Sequence, residues 1–171
     1  MGDAAVTVIG VDGDKLPDGG TEILASAQLV VGGRKHLDAH APKEVRRFEI
    51  GPLEPALNAL SALSGSESGV VLASGDPGFF GAVRALRERG IRPAVLPAPS
   101  SVQRLMASVG RSWDDVPVVS AYGRDLTRAI NVCRARPAVV VLTAPGAGPA
   151  QLGSGLDGWR RTLVIAEDLG G

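Results

Sequence analysis

The stretch VVLASGDPGFFG, residues 70–81, decides how this chain is read. An apolar run halts at Ser74, Gly75, Asp76 and Pro77, and two of the chain's three phenylalanines follow, Phe79 and Phe80. A short apolar run closed by a glycine–acid–proline corner reads as a buried strand entering a turn. In parallel sheets ligands gather beyond the carboxyl ends of strands, so such a corner stands where a binding loop is expected. Gly75 would let a ligand come close to the main chain. Asp76 either caps the helix that follows or takes a ligand hydroxyl or amine, and these residues alone leave both readings open.

On either side the same alternation repeats. VTVIG, LVVGG, a weaker RRFEI, GVVLAS and PAVLP read as strands. EILASAQ, EPALNALSALS, FFGAVRALRERG (with Gly90 as its C-cap) and SSVQRLMASVG (with a serine N-cap) read as helices. The pattern restarts after residues 110–117. VPVVSAYG and AVVVLTA read as strands around the helix DLTRAINVCRA, then come a glycine-rich loop with a weak helix and a last strand, TLVIAEDLGG. Strands alternating with helices predict an α/β fold with mainly parallel sheets. The near-continuous apolar runs fit sheets covered on both faces. Two domains are expected, residues 1–112 and 113–171, the second short for a finished sheet.

Composition narrows the class. The chain has 171 residues, 44% of them hydrophobic and 21% charged, and 18 basic residues balance 18 acidic ones. That balance gives no case for a nucleic-acid or membrane-surface partner. The lone Cys133 excludes an internal disulfide and any multi-cysteine metal site, and a packing role is expected for it. The N-terminus has neither the pattern of a signal peptide nor, with Val6 in the sixth place, that of myristoylation. A cytoplasmic protein is expected.

Other loops carry possible chemistry. VIGVDGDKLPDGG lacks the glycine spacing of a dinucleotide fold, and no Walker phosphate loop occurs. Arg34, Lys35 and His36 follow a glycine pair, a cluster that suits a polycarboxylate or plain solvation. His36 and His40 would align on a helix but have no third metal ligand, so no metal is expected. PAPSS puts Ser100 and Ser101 at a helix start, while SAYGR and TAPGAGPAQL are further strand exits. No nucleophile–histidine–acid arrangement and no carboxylate pair stands out, so no catalytic residue is assigned.

Taken in order, VTVIGVDGD, VVGGRKHL, VVLASGDPGFFG, PAPSSVQ, VVSAYGRDL, VVVLTAPGAGPA and IAEDLGG resemble the tetrapyrrole methylase family over nearly the whole chain. VVGGRKHL together with PAPSSVQ resembles its carbon-5 branch. The resemblance implies two α/β domains of the class III methyltransferase kind, with the ligand cleft between them and S-adenosyl-L-methionine as co-substrate. It implies C-methylation at carbon 5 of a precorrin-7-type tetrapyrrole in cobalamin biosynthesis. By match to the family's motifs, Gly75, Asp76, Phe79, Phe80, Ser100 and Ser101 would meet the methyl donor, with Phe80 the nearer of the two rings. Tyr122, Ala147, Gly148 and Pro149 would form the adenosine side. Gly10 would face the tetrapyrrole, and Arg34, Lys35 and Arg124 its carboxylates. A homodimer is implied, with a separate carbon-15 methyltransferase/decarboxylase as a possible partner. Asp12 stands where the family often has glycine, TAPGAGPA replaces a more polar loop, and relatives continue beyond LGG, so a truncated second domain is expected. Two other readings stay open: methylation at another tetrapyrrole position, and a non-catalytic binding homologue.

Overall fold

The computed structural model describes residues 4–122, 125–167 and 169. They form an α/β structure dividing into two compact units, residues up to Ser101 and Val102–Leu169.

The first unit carries strands β1 (Ala5–Val11), β2 (Leu29–Gly32), β3 (Arg46–Glu49), β4 (Ser68–Ser74) and β5 (Ala94–Leu96). Helices α1 (Gly20–Ser26), α2 (Arg34–His40), α3 (Leu53–Ser61) and α4 (Ala82–Glu88) link them. The strands make one parallel sheet in the order β3-β2-β4-β1-β5. Alternate residues of each central strand serve opposite faces. Val6, Val8, Leu29, Val31 and Val71 meet Leu57 and Leu60 of α3 and Leu86 of α4. Ile9, Val11, Val30, Val70 and Leu72 meet Leu24 of α1 and Leu37 of α2. Two buried faces explain why the strands read as unbroken apolar runs. Each fully buried Leu or Ile contributes about 1.5–3 kcal/mol.

Helix α2 was not read from the sequence. GGRKHLDAH has only Leu37 and Ala39 as apolar side chains, and Leu37 is the one that is buried. Helix α4 begins after the phenylalanines rather than with them: its N-cap is Gly81, with no side-chain cap.

The second unit contains α5 (Ser101–Val109, joined to the first unit at its first residue), β6 (Val118–Ser120), α6 (Leu126–Ala135), β7 (Val140–Leu142) and α7 (Pro149–Gly155). Compactness assigns α5 to this unit, whereas the sequence boundary put it in the first. The reason is packing: Leu105, Met106 and Val109 line a cavity of about 540 Å³ together with Val139–Val141, Leu152 and Leu156. β6 and β7 pair in parallel. Cys133 of α6 is buried with Leu152 of α7 and with Leu156 just after it, and that burial raises its thiol pKa, as expected of a packing residue.

The expected last strand does not form among the described residues. Residues 162–167 have no strand partner among the described residues, and Leu163, Val164 and Ile165 are 44%, 64% and 59% exposed. Apolar content alone does not make a strand, because its backbone groups need a neighbouring ladder.

Candidate functional site

The ends of β1, β4 and β5 converge at the carboxyl edge of the first unit's sheet. Gly75 closes β4 with φ +68° and donates its N–H to the Val11 carbonyl at 2.9 Å. That left-handed conformation is costly for any residue with a Cβ. A methyl group on Gly75 would also stand 3.3 Å from Ser100 Cα and 3.4 Å from the Pro99 carbonyl. Gly10, expected to face the substrate, lies buried within β1. The place its side chain would take is filled by the Gly75 carbonyl and, 2.7 Å away, by the Ala98 nitrogen. Gly10, Gly75 and residues 98–100 therefore make a close main-chain crossing.

Asp76 turns back on its own loop: Oδ1 accepts the Gly78 N–H at 2.8 Å, and its carbonyl accepts the Phe79 N–H at 3.1 Å. It caps this turn, not α4, which begins six residues later. The turn presents Phe79 and Phe80 edge to face, centroids 4.8 Å apart. Phe80 is 49% exposed and sits at φ +55°, the one non-glycine residue with positive φ among those described. A bulky side chain in that region stores strain of about 1–3 kcal/mol, and such strain clusters at ligand clamps. Across the corner, Ser100 is the one buried polar side chain among the described residues, while Ser101 is exposed at the start of α5.

The basic cluster is engaged by acids of neighbouring loops. Arg34 pairs with Glu49 at 3.2 Å, and the hydrogen bond to Glu49 raises its pKa. Lys35 lies 3.5 Å from Asp14 of the loop after β1. Both pairs are well exposed. Arg124 lies outside the described residues.

Sequence reasoning missed a further contact here. His36 Nε2 stands 2.7 Å from Ser74 Oγ, joining α2 to the last residue of β4. The two are 38 positions apart, and only the helical register from Arg34, with β2 beside β4, brings them together. Partial burial lowers the His36 pKa, and the neighbouring His40 and Lys35 lower it further against the opposing Asp14.

In the second unit, the ends of β6 and β7 lie side by side. The Ala121 N–H donates to the Leu142 carbonyl at 2.8 Å, leaving Tyr122 73% exposed just beyond. Ala144 and Ala147 bridge across a tight turn. The Gly148 N–H donates to Gln151 Oε1 at 3.1 Å, and Pro149 takes the first turn of α7. Tyr122 and the 147–149 loop thus share one sheet edge.

Residues 7–170 match the model of the tetrapyrrole (corrin/porphyrin) methylases. The chain belongs to this family. Among methylase relatives, a Sinorhizobium precorrin-6Y C(5,15)-methyltransferase [decarboxylating] is 36% identical over 97% of this chain, which spans 42% of that relative's length. A Salmonella typhimurium cobalt-precorrin-7 C(5)-methyltransferase is 30% identical over 86% of the chain and 75% of its own length. Methylase structures share the fold. The precorrin-6Y methylase of Archaeoglobus fulgidus superposes with a TM-score of 0.58 at 24% identity, covering 75% of this chain and 69% of that one. The methyltransferase CobJ gives 0.66 at 23% identity, covering 90% and 74%.

Proposed function

We propose that this chain is an S-adenosyl-L-methionine-dependent C-methyltransferase acting on carbon 5 of a precorrin-7-type tetrapyrrole in cobalamin biosynthesis. The observation that carries the reading is the 30% identity over 75% of the length of a relative named for carbon 5 alone. The corner at Gly75 supports it. An adenosyl amino acid offers hydroxyls, an ammonium, a carboxylate and an apolar base. The residues here offer close main-chain groups, the Asp76 carboxylate, the Ser100 hydroxyl and an aromatic pair, which fit that chemistry.

The donor's sulfonium supplies an already activated methyl group. The chain's own task is then alignment, holding donor and acceptor carbon about 3–3.5 Å apart and in line. Gly75, Asp76 and Ser100 fix the donor on a rigid sheet edge, with Ser101 beside them. Phe79 and Phe80 keep water from its apolar side. Tyr122, Ala147, Gly148 and Pro149 are assigned adenosine contacts. Lys35 and Arg34 exchange Asp14 and Glu49 for substrate carboxylates, and Arg124 is assigned the same role. The working form is a cytoplasmic homodimer, with carbon-15 methylation and decarboxylation carried by a separate catalytic module.

The test is calorimetry with S-adenosylhomocysteine, followed by incubation with donor and tetrapyrrole. A donor-dependent gain of one methyl, located at carbon 5 by NMR, is expected. A methyl at another position would reassign the substrate specificity. A chain that transfers no methyl, whether or not it binds S-adenosylhomocysteine, would end the reading. Sedimentation of the purified chain checks the dimer.

A further inference from the structure

Replacing a hydrogen on a tetrapyrrole carbon by a methyl group releases a proton, and the sequence names no group to take it. The geometry points to His36, acting through Ser74, as the acceptor of that proton. The inference rests on the methyltransferase reading above.

Ser74 is the residue immediately before Gly75, so its exposed hydroxyl stands at the same sheet edge as the donor corner. His36 Nε2 backs it at 2.7 Å. That is within the reach required of a base. Ligands of parallel sheets lie beyond the strand ends, which puts the Ser74 hydroxyl on the ligand side and the half-buried imidazole behind it. Its partial burial, and after that the surrounding charges, favour a neutral ring. His40 and Lys35 on α2 itself oppose a positive charge, and Asp14 from the loop after β1 favours it but is paired with Lys35. Asp38 and Arg34 of α2 are paired with Arg47 and Glu49, the latter two from β3. β2 and β4 contribute no charged side chain.

The nucleophilic carbon forms its bond to methyl as the S–CH₃ bond breaks, and that electron pair stays on sulfur, leaving a neutral thioether. The carbon's C–H bond then breaks, and its electron pair rejoins the conjugated system. The proton goes to Ser74 Oγ while the serine's own proton passes to Nε2. His36 becomes an imidazolium and later loses its proton to solvent.

The experiment compares wild type, His36→Gln and Ser74→Ala in pH–rate profiles of methyl transfer, with S-adenosylhomocysteine affinity measured in parallel. Glutamine preserves a hydrogen bond to Ser74 but cannot titrate. His36→Gln is expected to lower kcat at least about a hundredfold. It is also expected to abolish the acid limb of the profile, with Kd for S-adenosylhomocysteine within about twofold of wild type. Ser74→Ala, at an exposed strand end, is expected to lower kcat while leaving the fold intact by circular dichroism. It serves as the second variant should His36→Gln fold poorly. A His36→Gln enzyme with near wild-type kcat and an unchanged acid limb, or a fully active Ser74→Ala, overturns the proposal alone. A wild-type chain that binds S-adenosylhomocysteine but transfers no methyl overturns the parent reading and this one together.

Discussion

The carbonyl oxygen of Gly75 occupies the place where a side chain on Gly10 would begin. Two strands thereby approach through bare main chain, at the point where the sheet meets the Gly75–Asp76 corner. The obstacle is backbone on both sides, the Gly75 carbonyl and the Ala98 amide, and neither can swing aside as a side-chain tip would.

Gly10→Ala is therefore expected to destabilise the first unit by about 1–3 kcal/mol or more, the usual cost of overpacking. It should also weaken S-adenosylhomocysteine binding. Gly33→Ala is the control. Gly33 has φ −65° and open space around its Cα, so urea unfolding should show little change.

Phe80 separates stability from binding. It is half exposed and held at φ +55°. Phe80→Gly relieves backbone strain and removes little buried surface, so the urea midpoint should hold or rise slightly. S-adenosylhomocysteine affinity should fall, about tenfold for roughly 1.4 kcal/mol of lost contact. Unchanged affinity by calorimetry would remove Phe80 from the donor site.

Arg34 pairs with Glu49 in the open, and exposed pairs of this kind add little to stability. Arg34→Ala should leave the thermal midpoint almost unmoved. If Arg34 serves the substrate's carboxylates, KM for the tetrapyrrole should rise several-fold at low salt, and the effect should shrink as salt screens the charges. An unaltered KM would reduce Arg34 to a loop tether.

The depressed pKa of His36 gives stability a pH dependence with a fixed sign. Because the folded state favours the neutral ring, the unfolded chain binds the extra proton between the folded pKa and the ordinary value of 6.5. Its contribution is fully present above 6.5 and is lost as pH falls through the folded value. Thermal midpoints of wild type should decline over that interval more steeply than those of His36→Gln. Parallel curves would show that the ring titrates alike in both states.

The fold was legible where both faces of a strand are buried. VTVIG, LVV and VVL are apolar at every position but Thr7 because odd and even residues enter different cores. Legibility failed where identity depends on partners. Helix α2 buries Leu37 and little else, so its amphipathic signal is faint. Residues 162–167 carry strand-like side chains but no neighbouring ladder. At the site, the glycine corner was marked by residue type, since Gly75 needs φ +68°. Asp76 was ambiguous because a capping carboxylate and a ligand-binding one look alike in sequence; its hydrogen bond to Gly78 places it on the turn and not on α4. The contact of His36 with Ser74 had no local signature, being made by strand order.

That strand order also governs when the first unit can assemble. β1 and β2 are never neighbours, and each meets β4, which lies between them. A growing chain that has emerged only as far as α3 can pair β2 with β3, but its first strand has no ladder to join. The sheet closes when Ser68–Ser74 is inserted as the middle strand, so folding cannot simply track synthesis from the N-terminus. The segment that ends in the Gly75–Asp76 corner is thus the keystone, and a nascent chain stalled before it would leave β1 unpaired on both edges and β2 on one.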